Sequence, residues 1–142
     1  MKRIGLWVSV AGLTVFIFIS CAVVAAPLDG RVALMLQGLT DTNCDGQPDS
    51  SSTSSIAPGA CLIYQLDAVN QGAVTVSNVA IAARIPEHTE LVAAFQQVDG
   101  GEPPVSEIED TSHGPRLLKT RLHKLEPGVG NTVRLQYRVR VL

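Results

Sequence analysis

Aromatic residues are scarce in this 142-residue sequence, at 4% of the chain, and basic residues are not in excess. The 11 Lys and Arg residues face 13 Asp and Glu residues. Many of the basic residues lie between positions 116 and 140, but they do not alternate with a series of aromatic side chains on which bases would stack. Nucleic acid is therefore not an expected partner.

The sequence also lacks the motifs of common catalytic sites. No G-x-S-x-G or H-x-x-x-H spacing occurs, and the histidines His88, His113 and His123 are scattered. The acidic residues Glu107 and Glu109 lie in a turn-rich insert, where a solvated charged loop is expected. We therefore predict that the protein is not an enzyme, that it has no catalytic residues and that it requires no cofactor.

Long apolar runs are absent except at the N-terminus. Lys2 and Arg3 precede an uncharged stretch, 4–20, and small residues follow at Val23 and Ala25. This layout is typical of a secretory signal peptide covering residues 1–25, with cleavage after Ala25. We expect export to the periplasm, the outer membrane or the extracellular space.

Three alternatives are open for this segment and its Cys21. "FISC" is similar to a bacterial lipobox, although Phe18 stands where leucine is usual. Cys21 would then be lipidated and become the mature N-terminus; otherwise it is discarded with the signal. A retained membrane anchor is a third alternative, and no other membrane contact is expected.

The remaining residues, 26–142, have the size of one domain and carry nine basic against 13 acidic residues. They show no helical periodicity, and short apolar runs alternate with turn residues. The final run, 131–142, places Val133, Leu135 and Tyr137 on one face and arginines on the other. This pattern predicts an all-β, antiparallel sandwich.

Two cysteines flank an unusual loop, "DTNCDGQPDSSSTSSIAPGAC" (41–61). In an oxidising compartment, two cysteines of a small exported domain usually pair, so we predict a disulfide between Cys44 and Cys61. Zinc is not expected, because two cysteines without a nearby histidine supply too few ligands.

The same loop spaces oxygen-bearing side chains like a calcium loop. Asp41, Asn43, Asp45 and Asp49 fall at positions 1, 3, 5 and 9, and Gly46 falls at the sharp bend. The position that normally supplies a bidentate glutamate is serine. Two interpretations stay open: a calcium site, or a turn whose side chains bond their own backbone.

The order of turns and strands resembles that of a bacterial conserved-repeat domain, called domain of unknown function eleven, over about residues 30–142. The resemblance is carried by these elements: Pro58-Gly59, Tyr64, Asn70-x-Gly72, Asn78-Val79, Pro86, Leu125-x-Pro127-Gly128 and Tyr137-x-Val139. It implies an immunoglobulin-like sandwich of about seven strands, found in envelope or surface proteins and without known catalysis.

From these features we expect a structural or protein-interaction module of the bacterial envelope, with other envelope or surface proteins as partners. One alternative is a calcium-stabilised adhesion module. Another is an accessory domain of a secreted hydrolase or sugar-binding protein, for which the sequence supplies no constellation of residues.

Overall fold

A computed structural model of the chain describes residues 30–49, 55–99, 101–110 and 112–142. Within these residues the fold is built almost entirely of extended chain, as the alternating patterns predict. The strands are β1 (Val32–Asp41), β2 (Cys61–Asn70), β3 (Val76–Arg84), β4 (Thr89–Gln97), β5 (Ser106–Glu109), β6 (Leu117–Leu125) and β7 (Val133–Val141). A short 3-10 turn, Val129–Asn131, precedes β7.

The strands form two antiparallel sheets that pack face to face. Sheet A has the order β1-β2-β7-β4, and sheet B has the order β3-β6-β5. Apolar side chains from both sheets make one core cluster, which contains Leu66, Leu135 and Val139 of sheet A and Ile81 and Leu118 of sheet B. The predicted all-β sandwich of two packed layers is confirmed.

Strand β7 shows most clearly why the sequence folds in this way. Its residues Leu135, Tyr137 and Val139 are buried, and the residues between them lie on the outer face. The Tyr137 ring contacts the rings of Tyr64 and Phe95, with centroids 5.0 and 5.3 Å away. Burial raises the pKa of Tyr137 to about 12. The period of two therefore fixes which face of β7 meets sheet B.

The end of β2 is held by a buried asparagine at the predicted Asn70-x-Gly72 turn. The Asn70 side-chain amide donates to the carbonyl oxygens of Val74 at 2.7 Å and Leu125 at 3.0 Å. Its Oδ1 accepts a hydrogen bond from Gly72 N at 2.9 Å. Because Leu125 belongs to sheet B, this one side chain ties the β2–β3 turn to the opposite layer.

Strand β4 departs from the pattern that its sequence suggests. Simple alternation predicts that Leu91, Ala93 and Phe95 share one face, and Leu91 and Phe95 do pack in the core. Ala93 instead lies opposite Arg138, because the register between β4 and β7 shifts twice, between Leu91 and Ala93 and between Ala93 and Gln96. Each shift moves the next side chain to the other face of the sheet.

The predicted signal segment, 1–25, its Cys21 and the serine-rich stretch 50–54 lie outside the described residues. Within the described part of the chain, no helix has the length and apolar character needed to cross a membrane. Among its described residues, the insert between β4 and β6 contains one short strand, β5, at the edge of sheet B.

Candidate functional site

The sequence-predicted site residues meet at one corner of sheet A, where the chain between β1 and β2 turns. The sulfur atoms of Cys44 and Cys61 lie 2.04 Å apart, at disulfide distance, and their Cα atoms are 5.1 Å apart. Cys61 is the first residue of β2 and pairs with Asp41, the last residue of β1. The predicted crosslink thus joins the returning loop to the base of the hairpin.

Asp41 is the buried centre of this corner. Its two carboxylate oxygens accept hydrogen bonds from the backbone nitrogens of Asp45, at 3.0 Å, and Gly46, at 2.9 Å. Arg138 of β7 lies on the same carboxylate, with Nη1 3.6 Å from Oδ2. The charge of Asp41 is therefore both hydrogen-bonded and paired, as a fully buried carboxylate requires.

Gly46 allows the loop to pass this close to Arg138. Its φ of +91° lies in a region that residues with a side chain rarely adopt, and an added Cβ would come within 2.6 Å of Arg138 Nη1. The backbone conformation thus favours glycine at the predicted sharp bend, and a larger residue would also displace the Arg138 guanidinium group. Arg138 Nε is buried and has no hydrogen-bond partner among the described residues.

The remaining calcium candidates are engaged in local contacts. Asp45 accepts hydrogen bonds from Asn43 Nδ2 at 2.9 Å and from Gln47 N at 2.8 Å. Asp49 Oδ2 accepts from Thr42 N at 3.1 Å and Thr42 Oγ1 at 2.6 Å, and the Thr42 hydroxyl lowers the pKa of Asp49.

These contacts match a turn that bonds its own backbone, and Asp41 faces an arginine rather than the centre of a shared oxygen cage. Within the described residues, no group of three or more His, Cys, Asp or Glu side chains is placed to hold a metal ion. Calcium binding by Asp41, Asn43, Asp45 and Asp49 stays a prediction, and the bonds of Asp41 to the loop backbone would have to rearrange for it.

A small cavity of about 230 Å³ opens beside this corner on the outer face of sheet A. Its polar groups come from the loop, from the outer face of β7 and from Gln96 of β4, and β4 also contributes Ala93 through the register shift described above. The lining residues are Asp45, Gly46, Ile63, Ala93, Gln96, Gln136, Tyr137 and Arg138.

The arginines on the outer face of β7 are individually balanced by carboxylates. Arg134 makes two contacts with Asp67 of β2, at 2.7 and 3.0 Å, and Arg140 Nη1 lies 2.9 Å from Glu90 of β4. With Arg138 on Asp41, each arginine of this strand faces an acidic partner. The late cluster of basic residues in the sequence is therefore not a free basic patch on sheet A.

The second feature of sheet A is the outer edge of β1, which pairs with no other strand among the described residues. Leu34, Met35 and Leu36 are 50, 69 and 57% exposed, although they lie in the middle of a ten-residue strand. Leu34 and Leu36 pair with Ala68 and Leu66, so they share the inner face of sheet A. In the described part of the chain, sheet B has only three strands and does not cover them.

The acidic residues and histidines that the sequence offered as catalytic candidates do not form a common site. Glu109 forms an ion pair with Lys119 on the neighbouring strand, and Glu107 lies exposed on β5. His88 occupies a turn with a φ of +58° before β4, and His123 is exposed on β6. The two glutamates share β5, but the histidines belong to other parts of the fold, and no cavity described in this part of the chain is lined by both sets.

The pairing of Asp41 with Arg138 and the exposed edge of β1 were not predicted from the sequence. For the pairing of Asp41 with Arg138, the signal is that the apolar residues Cys61 and Ile63 fall on the outer face of β2. Other residues must therefore pack over this face. For the exposed edge of β1, the signal is the run Leu34-Met35-Leu36, which does not alternate with polar residues.

Comparison of the chain with family models, with curated proteins and with solved structures found no match.

Proposed function

We propose that the chain is a non-enzymatic structural or protein-interaction module of the bacterial cell envelope or surface. The observation that carries this proposal is the apolar edge of β1, with Leu34, Met35 and Leu36 exposed in mid-strand. Contiguous apolar side chains favour association with another extended chain when one edge of their strand pairs with no described strand, as here.

The proposed relation to immunoglobulin-like envelope domains rests on architecture and on the turn motifs of the sequence. Strand order differs from that of a constant immunoglobulin domain, in which the fifth strand lies between the second and fourth and the seventh pairs with the sixth. Here β7 occupies the place of the fifth strand and β5 that of the seventh. We therefore propose kinship at the level of the two-sheet sandwich, and not strand for strand.

The proposed location outside the cytoplasm has two supports. The N-terminal sequence has the layout of a secretory signal, and two cysteines lie at bonding distance in a small domain. The corner around Asp41, which the crosslink ties to β2, has a structural role in this proposal: it shields Cys61 and Ile63 on the outer face of β2.

A crosslinking experiment in living bacterial cells tests this function. A photoreactive amino acid replaces Met35 in one variant and Ile108 of β5 in a matched control, because both side chains are exposed, at 69 and 52%, on edge strands of different sheets. We expect covalent protein adducts in the envelope fraction from position 35 and not from position 108. Retention of the chain in the cytoplasm, or absence of any adduct from position 35, would contradict the proposal.

A further inference from the structure

The four sheet edges of the described domain differ in how well they are protected from strand pairing. Strand β4 carries two register shifts, and β5 has only four residues, two of them glutamates. Strand β3 contains Asn78 with a φ of +55° and ends at Arg84. Bulges, charges and short length are the devices by which proteins keep sheet edges apart.

Strand β1 has none of these devices along its exposed part. It pairs with β2 in continuous register over ten residues, from Val32 opposite Asn70 to Asp41 opposite Cys61. Its residues 32–40, "VALMLQGLT", include no charge and no proline. A long, regular and apolar edge of this kind is a template for a further strand.

Backbone hydrogen bonds identify which residues face the open edge. Arg31 O accepts from Gln71 N at 2.6 Å, on the β2 side, and Thr40 O accepts from Asp49 N at 2.7 Å, on the opposite side. The backbone N–H and C=O groups alternate in direction along an antiparallel strand. Those of even-numbered residues therefore point toward the open edge of β1. Between Arg31 and the loop these outward residues are Val32, Leu34, Leu36 and Gly38.

We propose that β1 pairs antiparallel with β1 of a second copy of this chain, about a two-fold axis at Met35. This register places Leu34 opposite Leu36 of the other copy, and Val32 opposite Gly38. It uses every outward residue of both copies and forms about eight backbone hydrogen bonds, two for each hydrogen-bonded pair. The inference rests on the proposed interaction function and names its partner.

The side chains of β1 are complementary to themselves in this register. Leucines flank Met35 symmetrically, so apolar groups meet apolar groups on the inner face, and the two Met35 side chains meet on the outer face. A register centred on Leu36 would instead set Val32 against Thr40, whose carbonyl oxygen is already bonded to Asp49 N. The apolar pattern and the free backbone groups thus select the same axis.

Charges at the ends of the strand support the antiparallel arrangement. Arg31 is exposed and comes to lie opposite Leu39 of the other copy, next to the corner where Asp49 bonds to Thr40. A guanidinium group then faces a carboxylate at both ends of the pair. One strand edge per copy makes a small interface, so the dimer dissociates on dilution.

Charge substitution at Met35 tests the pairing and its axis together. The full chain is expressed from residue 1, and the form that the cell releases is studied by sedimentation over a wide range of concentration. We expect the wild type to approach twice the monomer mass at high concentration. Met35→Lys and Met35→Glu each weaken dimerisation about tenfold or more, because like charges then stand directly opposite each other.

An equal mixture of the two variants restores the dimer, since lysine of one copy then faces glutamate of the other. Ile108→Lys, at the edge of sheet B, dimerises like the wild type. Circular dichroism and melting temperatures establish that all variants fold. A monomeric wild type, a Met35→Lys protein that still dimerises, or a mixture that stays monomeric overturns the proposal.

Sedimentation and crosslinking together distinguish self-pairing of β1 from the broader proposed function as an interaction module. A monomeric wild type whose position 35 crosslinks to a different envelope protein would contradict self-pairing and leave the interaction function standing. A monomeric wild type with no adduct from position 35 would contradict both.

Discussion

At the scale of single residues, the outer face of sheet A is organised by paired charges. Asp67 and Arg134 stand opposite each other in the register of β2 and β7, and the two contacts between them form a fork. The hydrogen bond from Arg134 lowers the pKa of Asp67, and the Arg134 charge adds to the effect.

This pair makes stability depend on pH in the acid range. Since the pKa of Asp67 is lower in the folded chain than in the unfolded chain, the unfolded chain takes up its proton first as pH falls. The contribution is complete above the unfolded value of about 3.9 and disappears as pH falls through the folded pKa.

We therefore expect Asp67→Asn to lower the free energy of unfolding by about 1 kcal/mol at neutral pH. The difference from wild type should shrink steadily below about pH 4, because the unfolded wild-type chain then takes up a proton at Asp67 before the folded chain does. Urea unfolding across this range measures it, with Glu107→Gln as the control for an exposed carboxylate. A difference that stays constant down to strong acid would contradict this explanation.

Predictions for single residues succeeded where a local turn favours one particular residue type. Gly46 was expected at a sharp bend and adopts a φ of +91°, and Asn70 was expected in a turn and holds it. Arg138 was expected in solvent, but it lies under the 42–49 loop with its guanidinium group near Asp41. That contact joins residues 97 positions apart, and no local pattern encodes it.

At the scale of elements, the loop between β1 and β2 is stabilised by its crosslink and by the buried Asp41. Cys44 and Cys61 are 17 positions apart, so the bond restricts the unfolded chain substantially. Its loss also frees the loop that covers the outer face of β2.

Replacing both Cys44 and Cys61 by alanine should lower the free energy of unfolding by about 3 kcal/mol. Chemical denaturation with and without a reducing agent measures the effect. Reduction should destabilise the wild type by a similar amount and leave the double variant unchanged. Equal stability of the wild type in oxidising and reducing conditions would show that the pair is not bonded.

Strand positions follow closely from the sequence, because turn residues bound each run and side chains alternate within it. The sequence predicts strands in the apolar runs 61–72, 76–86, 89–98 and 131–142, and β2, β3, β4 and β7 agree with these bounds to within a few residues. The bulges in β4 were not foreseen, since "TELVAAFQQ" reads as a regular strand. They arise from pairing with β7, which offers seven partner residues, Val141 to Leu135, to nine residues of β4.

At the scale of the whole molecule, stability depends on the contact between the two sheets. Leu118 of β6 is completely buried, whereas Leu36 of β1 is 57% exposed. The same substitution at these two positions therefore distinguishes core from edge.

Leu118→Ala should lower the free energy of unfolding by about 2–5 kcal/mol, because it leaves a cavity between the sheets. Leu36→Ala in the monomer should cost less than about 1 kcal/mol. Thermal unfolding of dilute protein compares them. Similar losses at both positions would contradict the packing described above.

The layered, all-β architecture was predictable from the period of two, but the assignment of strands to sheets was not. Alternation tells which face of a strand is buried and not which strand lies beside it. The exchange of places between β5 and β7, relative to a constant immunoglobulin domain, is a property of long-range pairing.

The position of β7 in the interior of sheet A also determines when the chain can complete its fold. Strand β7 follows every other described strand in the chain, yet it alone joins β2 to β4 in sheet A. A chain that emerges from its N-terminus onward thus holds β4 without a neighbour in its own sheet until these last residues arrive. Completion of sheet A must therefore wait for β7 to be synthesised, which leaves the earlier strands incompletely folded for longer than a series of local hairpins would.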